Sequence, residues 1–329
     1  MIGKITFAAL QFALICTLTC QLGRVAHAEE DPELHAVDEA DKINNQVTKD
    51  LTPPAKSCAP ADAVADQSRG FVSLPSVYLL QNGRRVSQVI YGEEIKILEH
   101  KNGMVLVAAI RQKTAGYPDG YQGWIPESSI SRNALFLNQV SLGKNVATTL
   151  NQSILYSDPG CTKPLLKLSF DSRLPKVGDV TAAYKVMTPN GKIAYLKATD
   201  AIPVVQKTYS PGQVLAIAKL FIGTKYEWGG TSSQGIDCSG LIYRAFSSLG
   251  IAIPRNAVDQ FNHGETITKD KLEPGDLVFF ADGGLVHHVG IYLGKGKIIH
   301  APRTGESVRI SDMSIFGNTF AGARRYDSN

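Results

Sequence analysis

One cysteine and two histidines in the last third of the chain have the types and spacing that nucleophilic chemistry requires. Cys238 lies in "YEWGGTSSQGIDCSGLIYRAF", residues 226–246, between Asp237 and Ser239. A glycine-rich stretch precedes it and an apolar pattern of helical period follows it. A thiol at the first turn of a helix feels the positive end of the helix dipole, which favours the thiolate. Gly229, Gly230 and Gly235 permit tight turns and a close approach of a substrate backbone. An attacking sulfur also needs a base and donors for an oxyanion. The amide of Cys238 itself is placed to be one such donor.

The base is sought among the histidines. His288 opens the strand "HVGIYLG". Alternation puts Val289, Ile291 and Leu293 on its core face and His288, Gly290 and Tyr292 on the other. His287 has the opposite parity. His300 sits in the next strand, "KIIHAP", after the turn "LGKGK". Histidines on adjacent strands can meet, one accepting the thiol proton and the other fixing its tautomer. His263, in the polar turn "FNHGE", reads as solvated. A plainer reading makes Cys238 a buried structural thiol and the histidines half-buried strand residues. One Cys and two His could also ligate zinc. However, no C-x-x-C or H-E-x-x-H pattern accompanies them, so neither a metal nor a cofactor is expected.

The 329 residues carry a net charge of +4 with 43% apolar residues. The length implies two or three domains. The near-balanced charge lacks the clustered basic footprint of a nucleic-acid binder. Residues 1–28 read as a signal peptide: Lys4, an apolar run from Ile5, then Ala26-His27-Ala28. The run of roughly 14–16 apolar residues is short for a membrane span of about 20, and no later run could serve as one. An exported protein is therefore expected, periplasmic or extracellular at the cell wall. Cys16 and Cys20 leave with the leader, so Cys58, Cys161 and Cys238 remain. Cys58 and Cys161 can pair, leaving Cys238 free; three independent thiols are the alternative.

Residues 29–69, acidic and then Pro- and Ala-rich, read as a tether. Residues 70–137 and 138–206 each consist of short β-rich runs broken by turns such as Asn-Gly and Pro189-Asn190-Gly191. Two small all-β barrels in tandem fit them. Residues 207–329 change style. Ser210, Pro211 and Gly223 punctuate a helix. Leu241, Ile242, Ala245, Phe246 and Leu249 give the segment after Cys238 one apolar face. Strands follow: "LVFFA", "HVGIYLG", "KIIHA", "SVRIS" and "GARRY". Helices first and an antiparallel sheet second make an α+β domain.

In combination, "DCSG", "IPRNAVDQF", "LEPGDLVFF", "HVGIYLG" and "KIIHAP" resemble the NlpC-type family of papain-like cell-wall cysteine peptidases over about residues 210–326. The upstream β modules resemble bacterial SH3-like domains. The resemblance implies Cys238 as nucleophile, His288 as base, His300 as its orienting partner and Tyr226 as support for the oxyanion. It implies hydrolysis of the γ-D-glutamyl–diamino acid bond of peptidoglycan stem peptides. A free N-terminal L-Ala would be selected by Asp237 and Ser239, with Tyr121 added from the first SH3-like domain and Trp228 as a wall of the cleft. Where the family often reads Pro-Arg-x-Ser, this chain has Pro254-Arg255-Asn256-Ala257, which removes a substrate-contacting serine. The implied partners are peptidoglycan-derived peptides, the protein acting as a monomer. Two other readings are a wall-binding protein working through the SH3-like domains, and a papain-like amidase or acyltransferase on another substrate.

Overall fold

The computed structural model describes residues 68–204 and 210–326. The leader and nearly all of the tether, with Cys58, lie outside the described residues.

Two all-β modules come first. Seven strands between Arg69 and Ser131 form one sheet, and seven between Asn145 and Pro203 form a second. The turns obey their residues. Asn82-Gly83 and Asn102-Gly103 both take positive φ, the pair of left-handed residues that a two-residue hairpin demands. Alternating apolar positions point inward: Leu79, Val89, Ile95, Val105, Val107 and Ile125 build the first core. Val146, Leu155, Leu174, Val186 and Leu196 build the second. A helix at Ala134–Ser141, capped by Asn133 accepting from the Phe136 amide, crosses the boundary read at 137/138. Its Phe136 is fully buried and meets Phe71, from the first strand of the first sheet, edge to face. The two modules are therefore joined by shared packing as well as by the chain.

The α+β domain begins with α1 (Pro211–Leu220), whose N-cap Ser210 accepts from the Gln213 amide and whose first residue is Pro211. Helix α2 (Cys238–Ser247) follows, then the short α3 (Ala257–Phe261). Six strands form one antiparallel sheet: β1 (Glu265–Ile267), β2 (Leu277–Asp282), β3 (Leu285–Gly294), β4 (Lys297–His300), β5 (Arg309–Asp312) and β6 (Phe320–Arg325). Their order across the sheet is β1-β6-β2-β3-β4-β5. One face packs on the helices through Leu277, Phe279, Val289, Ile291 and Ile299. The other carries Val278, Phe280, Ile298 and Ala323 beneath Met313, Phe316 and Phe320.

All ten residues of α2 are buried, the polar ones included. The apolar face packs within the domain, and the polar face is covered by the β modules. Arg244 reaches Glu93 of the first module at 2.8 Å and Asp171 of the second at 3.7 Å. It also donates to the carbonyl of Thr231 at 2.7 Å. Arg111 and Arg173 complete the junction on Asp171. Burial pushes the Asp171 carboxyl up, but Arg173, Arg111 and Arg244 outweigh it and hold it below the usual carboxylate range.

Candidate active site

The loop Tyr226–Asp237 brings the chain to Cys238 through a two-pair hairpin, Thr231–Ser232 against Gly235–Ile236. Asp237 ends the loop as N-cap, its carboxylate accepting from the Gly240 amide at 2.6 Å. Gly240 cannot be another residue without movement: a Cβ there would lie 2.2 Å from the Gly230 carbonyl oxygen. The cysteine is 7% exposed. Burial, with the Asp237 charge, pushes its thiol up to about 12, although the amides of Ser239 and Val289 donate to the sulfur and Arg255 lies nearby. Val289 is the residue after His288, so the sulfur lies against the strand that carries the base.

His288 and His300 meet as their strands predict. His288 Nε2 lies 2.8 Å from His300 Nδ1, and His300 Nε2 lies 3.0 Å from Ser311 Oγ. With His288 Nε2 turned to His300, Nδ1 is the nitrogen left to serve the sulfur. For Nδ1 to be a base, Nε2 must carry the proton and donate it to His300 Nδ1. His300 must then be protonated on Nε2, and Ser311 Oγ must accept. Arg309, register partner of His300, donates to the same hydroxyl oxygen at 3.3 Å. Burial lowers His288 to about 3, helped by His300 and His287. Burial and Arg309 lower His300 to about 4. The resting dyad is accordingly a neutral thiol beside a neutral imidazole, and the proton moves as the sulfur attacks. Ser311→Ala removes the acceptor that orients this chain. We expect kcat to fall about 5- to 10-fold, within the range for an orienting hydrogen bond, with KM little changed in steady-state assays.

Tyr226 is buried beside the thiol. Burial first, then the Cys238 and Asp237 charges, raise its phenol, so it remains a proton donor for an oxyanion. The Cys238 amide is the first N–H of α2, with no carbonyl one turn earlier to bind. Trp228 stands 66% exposed on the loop. His263 is bound to its own helix through the Asp259 carbonyl, and His287 faces Asp282 on the surface. Cys161 lies in a turn of the second module with no cysteine partner among the described residues, and its pairing with Cys58 lies outside them.

Sequence reasoning gave Arg255 no role. It is fully buried and pairs with Asp237 through both carboxylate oxygens, at 3.0 and 2.7 Å. It also donates to Ser239 Oγ and to Ser87 Oγ of the first module. Ser87 is held in turn by Gln112, and Gln88 accepts from the Thr231 amide. Asp237 also accepts from the Gly229 amide. Thus Asp237 and Ser239 have their hydrogen bonds within the protein, and the first module braces the loop that carries the nucleophile. Tyr121 acts on the charge of Arg255 from the same module. A buried carboxylate beside the cysteine needs a cation, and the arginine of "IPRNAVDQF" was the sequence signal for it.

Residues 223–325 match the NlpC/P60 family, and residues 149–202 match a YKFC SH3b2 domain. The chain is 34% identical over 259 residues to a γ-D-glutamyl-L-lysine dipeptidyl-peptidase of Bacillus cereus, covering 76% of this chain and 78% of that protein. It is 32% identical over 244 residues to the Bacillus subtilis protein of the same name, covering 73% and 80%. This chain belongs to the NlpC/P60 family. A crystal structure of an NlpC/P60 family protein from Bacillus cereus superposes with a TM-score of 0.73 at 30% identity, covering 79% of this chain and 99% of that one. That likeness extends over the β modules, so the SH3-like reading of the sequence holds together with the papain-like one. As an NlpC/P60 member the protein is a cysteine peptidase, a hydrolase. Among the described residues no helix is long and apolar enough to cross a membrane.

Proposed function

We propose that this peptidase is exported and cuts the γ-D-glutamyl–diamino acid bond of peptidoglycan stem peptides, releasing the N-terminal dipeptide. The observation that carries the reading is the hydrogen-bonded line His288–His300–Ser311 beside a buried Cys238, on a chain whose relatives are γ-D-glutamyl-L-lysine dipeptidyl-peptidases. In the reaction, His288 Nδ1 takes the thiol proton while the sulfur forms a bond to the γ-carbonyl carbon. The oxyanion is received by the Cys238 amide and the Tyr226 hydroxyl. The tetrahedral adduct collapses with cleavage of the C–N bond, and the imidazolium gives its proton to the leaving amine. Water, deprotonated by the same imidazole, then attacks the thioester carbon; the C–S bond breaks, the dipeptide leaves with a free γ-carboxyl group, and the imidazolium returns its proton to the sulfur.

Preference for a free N-terminal L-Ala is part of the proposal. Asp237 and Ser239, both bound to Arg255, would receive the amine, with Tyr121, which acts on the Arg255 charge, beside them and the exposed Trp228 as a wall. Asp237 already holds Arg255, so an ammonium there shares the carboxylate and gains less than the roughly doubled strength of an unshared charge-assisted bond. A leader over residues 1–28, with an apolar run after Lys4, supports export.

The test incubates the protein with L-Ala-γ-D-Glu-L-Lys, its diaminopimelate equivalent and both N-acetylated forms, and reads products by mass spectrometry. Release of L-Ala-γ-D-Glu, abolished by prior alkylation of the thiol and slowed about 10-fold or more by acetylation, is expected. Absence of release from every peptide, with the thiol still reactive, would reject the assigned bond. Equal cleavage of free and acetylated forms would reject amine selection alone.

A further inference from the structure

The catalytic histidines carry an aromatic cover that the reaction as derived does not use. Phe316 closes a four-residue 3-10 helix, Met313–Phe316, between β5 and β6. Its ring stacks on His288, with centroids 5.2 Å apart and planes at 22°. It meets His300 edge to face at 5.5 Å and stacks on Phe280 of β2 at 3.9 Å. Phe280 in turn lies 6.0 Å from His288. One half-buried ring thus covers both imidazoles of the 2.8 Å hydrogen bond on the sheet face away from α2.

We propose that Phe316 is a positioning residue for the peptidase reaction: it keeps water off the His288–His300 hydrogen bond and so holds His288 in the neutral, Nε2-protonated form that accepts the thiol proton. A hydrogen bond between two neutral imidazoles competes poorly with water unless the site is dry. A stacked ring excludes water and offers no polar atom to either nitrogen. The depression of both imidazoles by burial accords with this. The other groups that act on the pair are few. His287 lies on the same strand, Cys238 approaches from α2, and Arg309 and Glu306 act on His300. Ser311 lies at the end of the line.

The inference rests on the assigned roles of Cys238 and His288, and one of its tests needs no substrate. In the full chain, the rate of Cys238 alkylation by iodoacetamide and the NMR titration of the His288 ring are followed from pH 3 to 9 for the native protein, Phe316→Ala, Phe316→Leu and Phe316→Tyr. With the alanine variant the His288 midpoint is expected to rise by about one pH unit or more, a tenfold change in the protonated fraction per unit. If the tripeptide is the substrate, kcat/KM should fall about 10-fold near the acid limb and less than about 3-fold above pH 7.5, KM remaining steady. Phe316→Tyr should restore the native midpoint, and Phe316→Leu should fall between. An unmoved His288 midpoint in a folded alanine variant would overturn the proposal, as would an activity loss equal at every pH. Failure of the tripeptide assay alone, with the His288 midpoint moving as stated, would strike only the substrate assignment.

Discussion

Cys238→Ala and His288→Ala are each expected to lower kcat/KM by about 10^4-fold or more, and the double variant is expected to be no worse than the poorer single one. The two groups act as one unit. With no sulfur there is no covalent bond for the base to assist. With no base, a thiol pushed up to about 12 by burial and Asp237 is almost wholly protonated at neutral pH and attacks poorly. Non-additivity of this kind is the signature of residues sharing a single step. Uniform additivity, with the double variant losing the product of the two factors, would show that His288 acts apart from the sulfur. The pH profile gives a second reading. His288 is a base only when neutral, and its midpoint is depressed to about 3, so activity is present above that midpoint and lost as pH falls through it. The acid limb of kcat/KM should therefore lie well below the ordinary histidine value of about 6.5. A limb at 6.5 in the native protein would mean that the base is a solvated imidazole, and His288 is not that. Measurement needs only the native protein, the tripeptide and a series of buffers.

Much of this site could be read from the chain because its signals are local. Ser210, Pro211 and Gly223 bracket α1, with the cap bond and the positive φ that those residues favour. Period-two alternation in β3 separated His288 from His287, one buried and one exposed. Asn-Gly pairs gave the hairpins their turns. What the sequence did not disclose depends on partners distant along the chain. Ser311 enters the relay only because β5 pairs with β4 in a register set by the loop between them. The polar face of α2 would ordinarily be turned to water, and it is buried here because two other modules close over it. Asp237 reads as an open carboxylate beside a nucleophile. Its charge is instead matched by Arg255, 18 residues on, which the first module holds through Ser87. The domain boundary at 137/138 fell inside a helix because the eight residues Ala134–Ser141 carry no strong start signal beyond Asn133. Their anchor is the contact of Phe136 with Phe71, 65 residues earlier.

Arg244→Ala is expected to destabilise the folded protein by about 3–5 kcal/mol, the penalty for removing one partner of a buried ion pair. The side chain is wholly buried and binds all three parts of the described chain: Glu93 in the first module, Asp171 in the second and Thr231 in the active-site loop. Its loss leaves Glu93, itself buried, without the guanidinium at 2.8 Å, and leaves the Thr231 carbonyl short of a donor. Asp171 suffers less, because Arg111 and Arg173 remain at 3.1 and 2.9 Å. The two carboxylates can therefore be separated by experiment. In urea denaturation, adding Glu93→Gln to Arg244→Ala should recover part of the loss, since the stranded charge is gone. Adding Asp171→Asn should recover none and should cost more, since it strands Arg111 and Arg173. Thr231 begins the hairpin that leads to Cys238. The variant should consequently lose activity at temperatures where most of the protein remains folded, as the loop loosens before the barrels unfold. If Arg244→Ala shifts neither the urea midpoint nor the activity, the ion pairs of Arg244 contribute nothing net, and the β modules are held to the catalytic domain by packing and by the remaining hydrogen bonds, such as Arg255 to Ser87 and Thr231 to Gln88.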